Sequence, residues 1–187
     1  MNSISDKKEI RKEIFRQLRE QAPSLRRDRS RKVQEALLSS REFLESKLIM
    51  TYVSLPAEVD TRYFIEEALK RGKRIAAPCI DKESETIIAS ELSSIDDLAK
   101  GPYGIYEPKG GAARAIPLKE INLVVVPGIA FDKRNYRLGR GKGYYDKFLA
   151  DEDLSSSSKI GLAFSFQIVD SLPLAPHDMP VSRVITD

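Results

Sequence analysis

Leu123-Val124-Val125-Val126-Pro127-Gly128 is the stretch on which the fold turns. Four consecutive apolar residues, three of them β-branched, show no polar alternation, which marks a short strand buried on both faces and therefore central in a parallel sheet. Pro127 and Gly128 end it. The chain then runs into Arg137-Leu138-Gly139-Arg140-Gly141-Lys142-Gly143-Tyr144-Tyr145-Asp146, where three glycines alternate with two cations. In open α/β sheets ligands gather beyond the carboxyl ends of the strands, which is where this run is expected.

Outward from that strand, helices and strands alternate. Ile10, Ile14 and Leu18, with Phe15 beside them, predict an amphipathic helix over 6–20, capped by Ser5 or Asp6. A second helix is expected from Arg27 to Leu38, a buried strand from Lys47 to Ser54, and a third helix from Thr61 to Arg71 that stops at Gly72 in the left-handed conformation. Arg74–Ile80, Thr86–Leu92 and Lys159–Phe164 read as further strands, and Tyr144–Ala150 as a short helix. Gly101–Leu118, with four glycines and three prolines, reads as a long loop, and the acidic, serine-rich Asp151–Ser158 as a solvated, mobile one. The pattern predicts an α/β protein, a three-layer α/β/α sandwich with a mostly parallel central sheet, forming one domain over 1–187.

Composition narrows the class. With 41% hydrophobic and 32% charged residues in 187, the chain can build a core and is not a disordered sequence. No apolar stretch approaches the roughly 20 residues that span a bilayer, and the N-terminus turns at once into a charged helical pattern without the core of a secretory signal. Cys79 is the only cysteine, so no internal disulfide forms and a cytoplasmic location is expected; Cys79 itself reads as a small buried apolar residue. The net charge of +3 is uneven: residues 1–47 carry 13 Lys/Arg against 8 Asp/Glu, and the remainder 18 against 20. That basic segment suits a nucleic acid, a membrane surface or a small polyanion.

The glycine-rich run is read as a phosphate loop. Glycines admit positive φ and let backbone N–H groups approach an anion, while Arg140 and Lys142 add full charges. A P-loop would place Ser or Thr after Lys142, and a dinucleotide fold would need glycine at Tyr144, so neither template applies. Asp146 follows at the start of a helix, a place for a carboxylate that holds Mg²⁺ against phosphate oxygens or for an ordinary acid in a first turn. A charged surface turn is the plainer alternative for the run as a whole.

Val124–Asp132 (VVVPGIAFD) and Arg137–Leu149 (RLGRGKGYYDKFL) together resemble the signature of the 5-formyltetrahydrofolate cyclo-ligases, also called methenyltetrahydrofolate synthetases. The likeness extends through Lys7–Arg11, Tyr52–Thr61 (YVSLPAEVDT), Tyr103–Pro108 (YGIYEP) and Pro176–Met179, nearly the whole chain. It implies an enzyme that uses ATP and Mg²⁺ to convert 5-formyltetrahydrofolate to 5,10-methenyltetrahydrofolate, releasing ADP and phosphate. The γ-phosphoryl passes to the formyl oxygen, N10 attacks the activated carbon, and phosphate departs. Such a transfer calls for alignment and cations around spreading negative charge.

By the same resemblance, Lys7 and Arg11 match an N-terminal nucleotide-binding pair, and Arg137, Leu138, Gly139, Arg140, Gly141, Lys142, Gly143, Tyr144 and Tyr145 match the phosphate loop. Lys8 and Lys12 repeat the spacing of the first pair, so spacing alone does not single it out. Arg140, with Lys142 as second cation, is expected to stabilise the transferring phosphoryl, and Asp146 and Asp178 to hold Mg²⁺. Val53, Glu58, Tyr103, Arg140 and Tyr144 are the expected substrate contacts. Glu58 suits either a pterin's aminopyrimidine edge or proton loss from N10, and both stay open, as does a plain role as an acid before the helix over 61–71. His177, the only histidine, is read as positioning the loop that bears Asp178.

Two departures are visible. Ser182-Arg183 stands where relatives often carry an acid, and the chain has no Trp for indole stacking. The expected partner is the small molecule 5-formyltetrahydrofolate, with no nucleic acid and no membrane, acting on a monomer or weak dimer. The alternatives are a nucleotide-binding enzyme of other specificity, for which Glu58 and the Tyr103 loop are the discriminating features because a phosphate loop does not identify the acceptor, and a nucleic-acid module, for which the chain lacks any interleaved aromatic stripe.

Overall fold

The computed structural model describes residues 7–101, 104–176 and 178–187; Ser5, Asp6, Tyr103 and His177, each given a role above, lie outside the described residues. The chain forms α1 (Lys7–Glu20), α2 (Pro23–Leu38), α3 (Arg41–Glu45), β1 (Leu48–Thr51), α4 (Arg62–Lys70), β2 (Arg74–Asp81), β3 (Thr86–Leu92), β4 (Leu98–Lys100), β5 (Tyr106–Pro108), β6 (Leu123–Pro127), β7 (Ala130–Asp132), β8 (Arg137–Leu138), α5 (Tyr144–Leu149), β9 (Ser158–Leu162), β10 (Ile168–Val169) and β11 (Arg183–Ile185).

Six strands make the main sheet in the order β11-β9-β6-β1-β2-β3. Every pairing in it is parallel except β2 with β3 at one edge. The apolar run 123–126 lies between β1 and β9, and its side chains divide between two cores. Leu123, Val125 and Ile49 join Leu18, Leu37 and Phe64 from α1, α2 and α4 on one face. Val124, Val126 and Met50 join Phe148 and Leu149 of α5 on the other. This is the three-layer arrangement, with one layer thinned to α5 and short turns. Phe131 fills the thin side against two glycines: a Cβ on Gly128 would stand 2.5 Å from its Cζ, and one on Gly161 2.6 Å from its Cε1.

Several boundaries differ from expectation for local reasons. α2 starts at Pro23, before Arg27, because a proline at the first helical position has no N–H to lose and its φ is already helical. The Ser39-Ser40 region does not simply end that helix; Ser40 Oγ accepts from Phe43 N–H at 3.3 Å and caps α3. Gly72 closes α4 as expected, with φ +74° and paired bonds from Gly72 N–H to Leu69 O and Lys73 N–H to Ala68 O.

β1 and β9 are shorter than expected, and the long loop over 101–118 contains β5, which pairs with β4, and a 3₁₀ turn over Gly111–Arg114. The segment after α5 is not a merely solvated loop, since Leu154 within it is fully buried. No helix among the described residues is long and apolar enough to cross a membrane.

Candidate active site

From β1 the chain proceeds to β2 and β3 on one side of the sheet, then returns to β6, β9 and β11 on the other. The order therefore reverses between β1 and β6, and their carboxyl ends diverge to open a crevice. A cleft of about 500 Å³ lies there. Its floor is built from residues that follow the two strands: Tyr52 and Val53 after β1, and Gly128 and Ile129 after β6.

The glycine-rich run forms one wall. Gly141 and Gly143 take φ of +99° and +74°, which L side chains rarely adopt, and Gly143 sits at the N-cap of α5. Gly139 meets a different requirement than positive φ: a Cβ there would lie 2.5 Å from Arg137 Nη1. The loop is tied to α1 by Arg11, whose Nε donates to Gly139 O at 2.8 Å.

Three ion pairs join segments remote in sequence or reinforce the loop. Lys7 Nζ lies 2.6 Å from Asp178 Oδ2. Arg140 donates to Glu58 Oε1 from Nη2 at 2.8 Å and from Nε at 3.2 Å, while Glu58 Oε2 accepts from Leu55 N–H at 2.9 Å. Arg137 Nη2 donates to Asp146 Oδ1 at 2.5 Å and its Nη1 to Pro127 O at 3.4 Å; its side chain is 4% exposed and its Nε has no hydrogen-bond partner among the described residues. Five cations (Lys7, Arg11, Arg137, Arg140, Lys142) against three carboxylates (Glu58, Asp146, Asp178) line the cleft. The excess of positive charge suits a polyanion.

The opposite wall is apolar. β2 and β3 continue to Asp81 and Thr86 after β1 has ended, so Pro78 and Ile80 of β2 and Ile87 of β3 face the cleft together with Leu55 and Ile105. Pro78 is tolerated inside a strand because the β1 register stops at Ala76. A proline in an otherwise buried strand was the available signal for this opening. A flat aromatic ligand fits such a wall, with charge held at the other end.

Every candidate among the described residues lines this one cleft: Lys7, Arg11, Val53, Glu58, Arg137 through Tyr145, Asp146 and Asp178. The apolar residues from β2 and β3, and Tyr52, were not anticipated. Tyr52 donates to Val59 O at 2.9 Å, and burial, then the nearby Glu58 charge, pushes its phenol well above the usual tyrosine range. Cys79 is half-buried and not simply apolar, with Sγ 3.6 Å from Glu107 Oε2. Burial, then that carboxylate, raises its thiol pKa, which lowers the fraction present as the nucleophilic thiolate.

The donor set distinguishes among metals. No group of three or more His, Cys, Asp or Glu side chains converges among the described residues, which does not suit a closed structural zinc site. Two carboxylates at the rim of a phosphate-type loop do suit Mg²⁺, which takes few protein ligands and completes its shell with water and phosphate oxygens.

Comparisons with known proteins agree along the whole chain. The model of the 5-formyltetrahydrofolate cyclo-ligase family matches residues 3–187. The mouse 5-formyltetrahydrofolate cyclo-ligase is 31% identical, covering 97% of this chain and 93% of its own. The solution structure of the Aquifex aeolicus 5,10-methenyltetrahydrofolate synthetase superposes with a TM-score of 0.82 at 35% identity, covering 96% of this chain and 89% of that one. The Mycoplasma pneumoniae 5,10-methenyltetrahydrofolate synthetase gives 0.77 at 26% identity, covering 97% and 99%. With the family match over residues 3–187, the curated relative and the superposed fold in agreement, this chain belongs to the 5-formyltetrahydrofolate cyclo-ligase family.

Proposed function

We propose that the protein catalyses the ATP- and Mg²⁺-dependent conversion of 5-formyltetrahydrofolate to 5,10-methenyltetrahydrofolate, with release of ADP and phosphate. The observation that carries this reading is the two-sided cleft, cationic along the glycine loop and apolar along β2 and β3. A polyphosphate and a flat heterocycle would meet in it.

Lys7, Arg11 and Lys142 bind the polyphosphate, with Gly139–Gly143 supplying backbone N–H groups. Arg140 stands between the walls and stabilises charge on the phosphoryl as it passes to the formyl oxygen; N10 then attacks the formyl carbon and phosphate leaves as the ring closes. Val53, Tyr144 and the apolar wall hold the pterin. Glu58 accepts from Leu55 N–H at Oε2 and from Arg140 at Oε1, so it meets the substrate beside the Arg140 guanidinium. Asp146 and Asp178 hold Mg²⁺, which when bound neutralises charge on the phosphate oxygens. We propose further that the protein works in the cytoplasm, as a monomer or weak dimer.

Incubating the purified protein with 5-formyltetrahydrofolate, ATP and Mg²⁺ tests the reading. The methenyl chromophore is expected to appear with an equal amount of ADP. No product under any metal condition would overturn it.

A further inference from the structure

Asp132, at the end of β7, lines no part of the cleft, yet it is a fully buried carboxylate saturated with donors. Its Oδ1 accepts from Arg134 N–H at 2.9 Å and Tyr136 N–H at 3.0 Å. Its Oδ2 accepts from Arg134 Nη2 at 2.8 Å, Arg134 Nε at 3.2 Å and Leu172 N–H at 3.1 Å. The first pair of bonds brackets Asn135, which is held at φ +66°, a left-handed conformation that asparagine adopts more readily than other non-glycine residues.

Both ends of the segment that carries Asp178 are fastened to this turn. At one end, Leu172 gives its N–H to Asp132 and its carbonyl accepts from Arg134 Nη2 at 3.3 Å. At the other, Val181 N–H donates to Asn135 O at 2.9 Å and Pro180 bridges Tyr136. Between the two fastenings, Asp178 Oδ2 accepts from Ala175 N–H at 2.7 Å and pairs with Lys7. The same turn leads directly into β8 and the phosphate loop. Asp132 thus touches one fastening directly and shapes the other through Asn135.

We propose that Asp132 is a positioning residue, which fixes the 172–181 segment to the base of the phosphate loop and so places the Asp178 carboxylate for Mg²⁺. The proposal rests on the reading of Asp178 as a metal-binding carboxylate. An asparagine at 132 keeps the shape but turns an NH₂ group toward N–H donors, so the bonds to one oxygen are lost while the core packing stays.

The test compares wild type, Asp132→Asn and Asp178→Asn. For Asp132→Asn we expect faster amide hydrogen exchange across 172–181, a half-saturating Mg²⁺ concentration raised about ten-fold, the size typical of losing a supporting partner, and an unchanged KM for 5-formyltetrahydrofolate. Exchange equal to wild type, or loosened exchange with an unshifted Mg²⁺ titration, would overturn the proposal. A shifted Asp178→Asn beside an unshifted Asp132→Asn rejects the positioning role alone; an unshifted Asp178→Asn rejects the metal reading and the proposal with it. If Asp132→Asn does not fold, Arg134→Met, whose native side chain is 53% exposed, asks the same question, with the same results for and against.

Discussion

Arg140 and Glu58, 82 residues apart in sequence, close a hydrogen-bonded ion pair from the phosphate loop to the turn after β1, Nη2 to Oε1 at 2.8 Å. The pair joins the wall assigned to phosphate with the wall assigned to folate. Arg140 is 45% exposed, so the pair contributes little to stability, about 0–1 kcal/mol. Its worth lies in aiming a guanidinium at the place where the two ligands would touch. Arg140→Ala is therefore expected to melt within a degree or two of wild type, on the order of what an exposed pair contributes, and to lose about 100-fold or more in turnover, the size of a missing charge-stabilising donor. Thermal unfolding and the methenyl assay measure both. Near-normal turnover would reject the assignment.

Asp146 is paired with a buried partner, and its removal has a second consequence. Asp146→Asn removes the charge that compensates the enclosed Arg137 guanidinium and leaves it only neutral acceptors, the new amide oxygen and Pro127 O. Because Asp146 retains 20% exposure, the loss of stability is expected near 1–3 kcal/mol, below that of a fully buried pair. The Mg²⁺ requirement should rise as well. An unchanged metal titration in a folded variant would exclude Asp146 as a ligand.

Gly139 and Gly143 serve the loop differently, and alanine separates them. At 139 the new Cβ meets Arg137 Nη1 at 2.5 Å, so the guanidinium that pairs with Asp146 must shift. We expect a raised KM for ATP. At 143 nothing lies within 4 Å, but φ is +74°, so the cost is backbone strain of about 1–2 kcal/mol with little steric effect. Equal effects of the two substitutions on both Tm and KM would contradict this division.

The central strand, Gly72 and the position of the glycine-rich loop at the cleft are legible because each rests on local chemistry: an unbroken apolar run, a left-handed stop, and glycines spaced by cations. The ion pairs Arg140–Glu58 and Lys7–Asp178 were not, because their partners lie 82 and 171 residues apart and only the folded sheet brings them together. The apolar wall also escaped notice. Ile80 and Ile87 read as ordinary core residues, and they face a cleft only because β1 ends before β2 does. The pairing of β5 was hidden by the glycines and prolines around it, since three residues give no period to read.

Tyr52, buried, and Tyr145, half-buried with an enclosed hydroxyl, both line the cleft and predict opposite outcomes when their hydroxyls are removed. Tyr52 donates to Val59 O, so Tyr52→Phe should cost about 1 kcal/mol. The Tyr145 hydroxyl is buried without a hydrogen-bond partner among the described residues, so Tyr145→Phe should match or exceed wild-type stability at neutral pH. Burial raises the Tyr145 pKa above the ordinary tyrosine value; Arg137 opposes that shift and Glu58 adds to it. The folded value thus lies above the unfolded one, near 10. The stability associated with a neutral Tyr145 is fully present below that pH and is lost as pH rises toward the folded value, because the unfolded chain ionises first. Phenylalanine cannot ionise. The advantage of Tyr145→Phe over wild type should therefore widen between neutral pH and about pH 10.5. Melting both proteins at the two pH values checks this, and a gap that stays constant would show that the phenol is not held neutral by its surroundings.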